Sequence, residues 1–254
     1  MESDTGTDAG TGTDKRTAVS NRRPLSASDL ALVPVRLLGF LPSFTPQQAA
    51  DAVWLMGTAG VDARQEAGRR AVVAALCGGF TDQGLANALW GLQRMDCSWE
   101  DMPLPVQQVL VGALSRLCFT MHPQATANTL YSLGKMGLTA SQLGDKMLIS
   151  VELAVRKSAP RMVGADVVQT LQGLGLMQYA WGDLSEGTRE ALAGAAFEKA
   201  LRWYDVGPAC AKEVGTLAYS LAQLGCQVAT MSSPLRACLW AGMVAMGDFE
   251  QLDG

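Results

Sequence analysis

The sequence predicts an all-α fold, a solenoid of about five helix-turn-helix repeats, and three observations predict it. Five segments resemble one another at a spacing near 40 residues. Each carries apolar residues at helical rather than strand periodicity. Glycines recur at one register after three of them. The segments are AADAVWLMGTAG (49–60), LANALWGLQRMD (85–96), TANTLYSLGKMG (126–137), VVQTLQGLGLMQ (167–178) and VGTLAYSLAQLG (214–225). Aligned on Trp54, Trp90, Tyr131, Gln172 and Tyr219, they give periods of 36, 41, 41 and 47 residues. Those five residues define position zero of the repeat.

Residues 1–25 read as a disordered N-terminal segment, rich in Thr, Gly and Asp at its start and without an apolar stretch. Residues 26–44 follow as an N-terminal capping helix, roughly over 28–41. The repeat domain then occupies 45–254, with units near 45–80, 81–119, 120–158, 161–206 and 209–246. In each unit the aligned segment is the first helix. Apolar residues fall at −1, +2 and +5, as in Leu89, Leu92 and Met95, or Leu130, Leu133 and Met136, or Leu171, Leu174 and Met177. At 100° per residue these share one face. Gly60, Gly137 and Gly225 sit between the helices of their units, where a left-handed residue is wanted. Asp62, Pro105, Ser141, Ser185 and Ser233 with Pro234 mark the starts of second helices. These second helices run over about 62–77, 104–118, 141–157, 185–204 and 233–246. No convincing period-two alternation argues for strands.

Composition narrows the function. Apolar residues make up 48% of the chain and charged ones 17%, so many helix faces pack against other faces or against partners. The net charge is −4, whereas a protein gripping nucleic acid through phosphates alone would be basic. The six cysteines, Cys77, Cys97, Cys118, Cys210, Cys226 and Cys238, form no C-x-x-C pair, and His122 is the sole histidine. A Cys/His metal centre is therefore not expected, and buried reduced thiols are. No apolar run is long enough to cross a bilayer. No Walker loop, G-x-S-x-G, H-E-x-x-H or Cys/His pair appears, so no enzyme and no cofactor is expected.

The face opposite the apolar stripe is chemically coherent. Positions −7, −3, 0 and +4 lie within about 60° of one another on a 3.6-residue helix. Position −7 holds Gln47, Gln83, Gln124, Ala165 and Lys212; position −3 holds Asp51, Asn87, Asn128, Gln169 and Thr216. Position +4 holds Thr58, Arg94, Lys135, Leu176 and Gln223. Rings stack on a base, amides read its edge and cations meet its phosphate, so this strip is a candidate RNA surface. Its candidate RNA contacts are Gln83, Asn87, Arg94, Gln124, Asn128, Lys135, Gln169 and Lys212. The competing account is structural. Small residues beside the rings, such as Ala50, Ala86, Ala127 and Gly91, favour helix-on-helix packing over base stacking there. The Asn column then ties neighbouring loops together through bonds to backbone. In the last helix Leu239, Trp240 and Met243 are candidate contacts for a protein partner, because an uncapped solenoid end exposes apolar surface.

PQATANTLYSLGKMGL (123–138) and LANALWGLQRM (85–95) resemble the signature of the octotricopeptide-repeat family, a Pro-Gln-x-x-Ala-Asn-x-Leu-Trp-Ala-Leu-Ala-Lys-Leu-Gly run opening each unit. The related heptatricopeptide repeats look similar. The resemblance covers about residues 45–246, and at 167–178 Gln172 replaces the aromatic. It implies a right-handed α-solenoid in a mitochondrion, or alternatively a chloroplast, binding organellar RNA. It also implies a place in a larger ribonucleoprotein such as the mitochondrial ribosome, in rRNA binding, stabilisation or assembly. The alternative expectation is a protein–protein scaffold subunit of an organellar complex without direct RNA contact.

Overall fold

A computed structural model describes residues 44–61, 79–200 and 211–245. The first helix of every unit is thirteen residues long and runs from position −8 to +4. These are α1 (Pro46–Thr58), α2 (Asp82–Arg94), α4 (Pro123–Lys135), α6 (Gly164–Leu176) and α8 (Ala211–Gln223). Second helices are α3 (Leu104–Leu117), α5 (Asp145–Ser158), α7 (Glu186–Ala200) and α9 (Ser233–Ala245). No strand occurs among the described residues. The first helices pack side by side in chain order, and the second helices form a parallel series against them. The fold is thus an all-α solenoid-like array. The N-terminal segment (1–25), nearly all of the capping element (26–44), the second helix of the first unit (62–77), Cys77, Cys210 and residues 246–254 lie outside the described residues.

Local chemistry sets the helix ends. Pro46 and Pro123 occupy first-turn positions, where the missing N–H costs nothing. Thr45 and Gln48 cap α1 reciprocally: Gln48 N donates to Thr45 Oγ1 at 3.3 Å, and Thr45 N donates to Gln48 Oε1 at 2.9 Å. Each first helix stops because position +6 is left-handed in all five units. The angles are φ 73° at Gly60, 58° at Asp96, 84° at Gly137, 59° at Gln178 and 67° at Gly225. The three glycines are the expected ones; Asp96 and Gln178 adopt the same conformation without glycine's freedom.

One expected boundary is corrected. Ser141 does not start a second helix. It lies in a 3-10 turn, Ala140–Gln142, and α5 begins four residues later behind Gly144. The turn is held locally, with Thr139 N donating to Gln142 Oε1 at 2.8 Å. It is also held by the next unit. The N–H at position +9 donates to the carbonyl at +5 of the following first helix: Trp99 to Met136, Ala140 to Met177 and Trp181 to Leu224, each at 2.7 Å. The bond repeats regardless of side chain because only backbone takes part.

The apolar stripe is the core. Leu89, Leu92, Met95 and their equivalents in α4 and α6 are buried, and full burial of such a side chain contributes about 1.5–3 kcal/mol. At two of the joints neighbouring first helices touch through glycine. A Cβ on Gly91 would lie 2.4 Å from the Val53 carbonyl oxygen, and one on Gly57 2.5 Å from the Gly91 oxygen. At the joint of α4 with α6, a Cβ on Gly173 would lie 2.6 Å from Tyr131 N. Backbone meets backbone at both places.

Candidate functional site

The thirteen-residue first helices carry positions −7, −3, 0 and +4 to one surface of the array. Of the candidate RNA contacts, Gln83, Arg94, Gln124, Lys135 and Lys212 are exposed, and Asn87, Asn128 and Gln169 are half-buried. The rings at position zero are not core. Trp54 is 38% and Tyr219 59% exposed, while Trp90 and Tyr131 are half-buried. The small residues beside them do form the helix seam, so packing claims the neighbours and leaves part of each ring on the surface.

At the amino-terminal end the rings assemble. Trp54 and Trp90 lie with centroids 6.0 Å apart, tilted by 31°. The Arg94 guanidinium carbon sits 5.4 Å from the Trp90 centroid, within cation–π reach. The +4 cation therefore covers the ring one turn behind it on the same helix.

The amides make a ladder. Asn87 Nδ2 donates to Asp51 Oδ1 at 3.0 Å, and Gln169 Nε2 donates to Asn128 Oδ1 at 2.8 Å, each bond crossing from one first helix to the one before it. Position −7 braces it. Gln47 Nε2 donates to Asp51 Oδ1 at 2.9 Å, and Gln83 Nε2 to Asn87 Oδ1 at 2.8 Å. Thr81 Oγ1 donates to Gln47 Oε1 at 3.0 Å, joining the first two units. The Asn column thus links helices through side chains, not loops through backbone as expected. Gln83, Asn87, Asn128 and Gln169 are brought together in pairs, while Gln124, Lys135 and Lys212 stand apart along the strip. Lys135 has no ion pair among the described residues. Three cations face one carboxylate, Asp51, across the four positions, so the strip is locally positive on a chain of net charge −4.

No family model, no curated protein and no solved structure matches this chain.

Sequence reasoning left Trp54, Trp90, Gln47, Asp51 and Thr81 out of the candidate contacts, although the first four occupy the same columns. It also missed a cleft of about 840 Å³ between α7 and residues 225–234, lined by Trp181, Glu186, Arg189 and Glu190 among others. The matching cleft between α3 and residues 138–144 holds about 210 Å³. There Leu104 and Val111 take the places that Glu186 and Ala193 hold in α7. No sequence signal pointed to it because its walls come from two units.

The predicted partner contacts separate. Leu239 packs against the core, Met243 is half-buried and Trp240 is 58% exposed. Of the cysteines, Cys118, Cys226 and Cys238 are buried and Cys97 is half-buried. Burial pushes the Cys238 thiol up to about 12 and raises that of Cys226, which keeps both protonated and poorly nucleophilic. Burial, and secondarily Glu152, also raises Tyr179.

Proposed function

We propose that this chain is a helical-repeat protein binding single-stranded RNA along its first-helix strip, as a component of a larger organellar ribonucleoprotein such as the mitochondrial ribosome. The observation that carries the RNA reading is the Trp54–Trp90–Arg94 cluster, which offers exposed ring surface and a guanidinium beside it, with Lys135 and Lys212 further along. Stacking on such rings is tolerant of base identity, and spaced cations track a single-stranded backbone. The ladder amides are largely engaged with one another, which favours stacking and phosphate contact over edge reading. The organelle and the particle rest on the repeat signature alone, with a mitochondrion ahead of a chloroplast.

The test is salt-titrated fluorescence anisotropy with a labelled single-stranded oligoribonucleotide. Changing Arg94 and Lys135 to Glu removes two cations, so the slope of log K against log salt falls by about 1.4 or more. Trp54→Ala weakens binding by about 1–3 kcal/mol at every salt concentration. Unchanged affinity and slope in both variants would discard the RNA reading. A scaffold role without RNA contact is favoured by a different observation, the bare outer face of α8.

A further inference from the structure

The cleft between α7 and residues 225–234 holds about 840 Å³, inside the range of about 300–1,000 Å³ usual for small-molecule sites. Three glycines line it, Gly182, Gly194 and Gly225, and an added Cβ on any of them would meet nothing within 4 Å. Gly194 is the informative one. It stands inside α7, where glycine weakens a helix relative to alanine. Gly91 and Gly173 are explained by backbone pressed against them, whereas Gly194 has no such contact. What its missing side chain provides is room in the cleft.

The charges around that room are a second observation. Glu186, Arg189 and Glu190 line one wall, and at i, i+3 and i+4 of α7 they share a face. Opposite charges at this spacing ordinarily pair. Here none of the three has an ion pair or a side-chain hydrogen bond among the described residues. Arg189 is half-buried, and the two glutamates are exposed on either side of it. From the facing wall comes Ser232, whose hydroxyl has no hydrogen bond among the described residues either. The buried side chain of Trp181 completes the lining used below.

We propose that this cleft binds a guanosine nucleotide carrying a 5′-phosphate. Its occupant has to satisfy two carboxylates and one guanidinium together. An acidic ligand is repelled by Glu186 and Glu190, and a basic one leaves Arg189 without a counter-charge. An apolar one strips water from all three. A free amino acid carries both charges but fills little of the volume. A nucleotide supplies every part. Its phosphate takes the Arg189 fork and the Ser232 hydroxyl. Its cis-diol donates to one glutamate. Its base lies beside Trp181 in the space that Gly194 leaves. The other glutamate selects guanine. A carboxylate only accepts, and guanine offers N1–H and N2–H side by side, whereas adenine sets the acceptor N1 against it. A free nucleotide and the 3′-terminal guanosine of an RNA present this same chemistry. The cleft belongs to the second-helix layer, so it stands even if the first-helix strip binds nothing.

Isothermal titration calorimetry of the purified full chain with guanosine 5′-monophosphate tests this. One equivalent is expected to bind. Adenosine 5′-monophosphate and 2′-deoxyguanosine 5′-monophosphate bind about tenfold or more weakly, and Arg189→Gln lowers guanosine affinity by a similar factor. Gly194→Met places a good helix former where a Cβ meets nothing, so the chain stays folded while its side chain takes the base's space and abolishes binding. Of Glu186→Gln and Glu190→Gln, one levels guanosine with adenosine and the other levels ribose with deoxyribose. No binding at about 1 mM nucleotide, equal affinity for adenosine 5′-monophosphate, or binding that survives Gly194→Met overturns the proposal. Competition then names the source. An oligoribonucleotide ending in guanosine with a free 3′-hydroxyl displaces the mononucleotide if the ligand is an RNA end, and its 3′-phosphorylated form does not. No displacement by either form assigns the free nucleotide, and equal displacement by both contradicts diol recognition and overturns the proposal. Changing Arg94 and Lys135 to Glu leaves guanosine binding intact, so failure of the strip and failure of the cleft are read separately.

Discussion

Neighbouring first helices meet at two kinds of joint. Between α1 and α2, and between α4 and α6, a side-chain hydrogen bond crosses at position −3, through Asp51 with Asn87 and Asn128 with Gln169. Between α2 and α4, where Asn87 faces Asn128, and between α6 and α8, where Gln169 faces Thr216, no such bond forms among the described residues. The difference follows the residues at +3 of one helix and +1 of the next. The bonded joints pair Gly57 with Gly91 and Gly134 with Gly173; the others pair Gln93 with Ser132 and Gly175 with Ser220. A Cβ on Gly134 would lie 2.8 Å from the Gly173 oxygen, whereas one on Gly175 would lie 3.7 Å from the Ser220 oxygen. Paired glycines let the helices approach until short amides reach across. A side chain at either place props the joint open.

The largest expected effect breaks a close joint directly. Gly173→Ala places a methyl against the α4 backbone, which cannot withdraw as a flexible side chain does, and costs about 1–3 kcal/mol. Gly215→Ala on α8 is the control. It meets nothing, replaces a helical glycine with the best helix former, and stabilises by roughly 0.5–1 kcal/mol. Chemical denaturation midpoints with unchanged m-values read both. Equal shifts in the two variants would sink the account of the joints.

A smaller effect is expected at position +6. Gln178→Gly relieves a left-handed side-chain residue and stabilises by about 1 kcal/mol, while Gly137→Ala destabilises by a similar amount. Thermal unfolding midpoints moving in opposite directions would bear this out, and a destabilised Gln178→Gly would contradict it.

Much of this was legible in the sequence, for physical reasons. Burial of Leu89, Leu92 and Met95 follows from periodicity, and the glycines at +6 follow from their φ requirement. Asp96 and Gln178 escaped notice because residue type does not announce a left-handed angle, although the repeat register does. The 2.7 Å bonds from Trp99, Ala140 and Trp181 leave no trace in composition, since a backbone donor is common to all three. The ladder was half legible. Its columns could be read from spacing, but the partner of Asn87 is set by helix separation, which only packed backbones define.

The finest test concerns that separation, through double-mutant cycles. Asn128→Ala and Gln169→Ala, alone and together, are expected to show a coupling of about 0.5–1.5 kcal/mol, the net worth of one hydrogen bond between partly buried groups. The same cycle on Asn87 and Asn128 is expected to give no coupling, because the α2–α4 joint is propped by Gln93. Changing Gln93 and Ser132 to Gly lowers overall stability through helix propensity, yet it recreates the residue pair of the close joints. Coupling between Asn87 and Asn128 should then emerge in that background. If it stays at zero, glycine pairing does not control the ladder, and the two kinds of joint differ for some reason beyond their +3 and +1 residues.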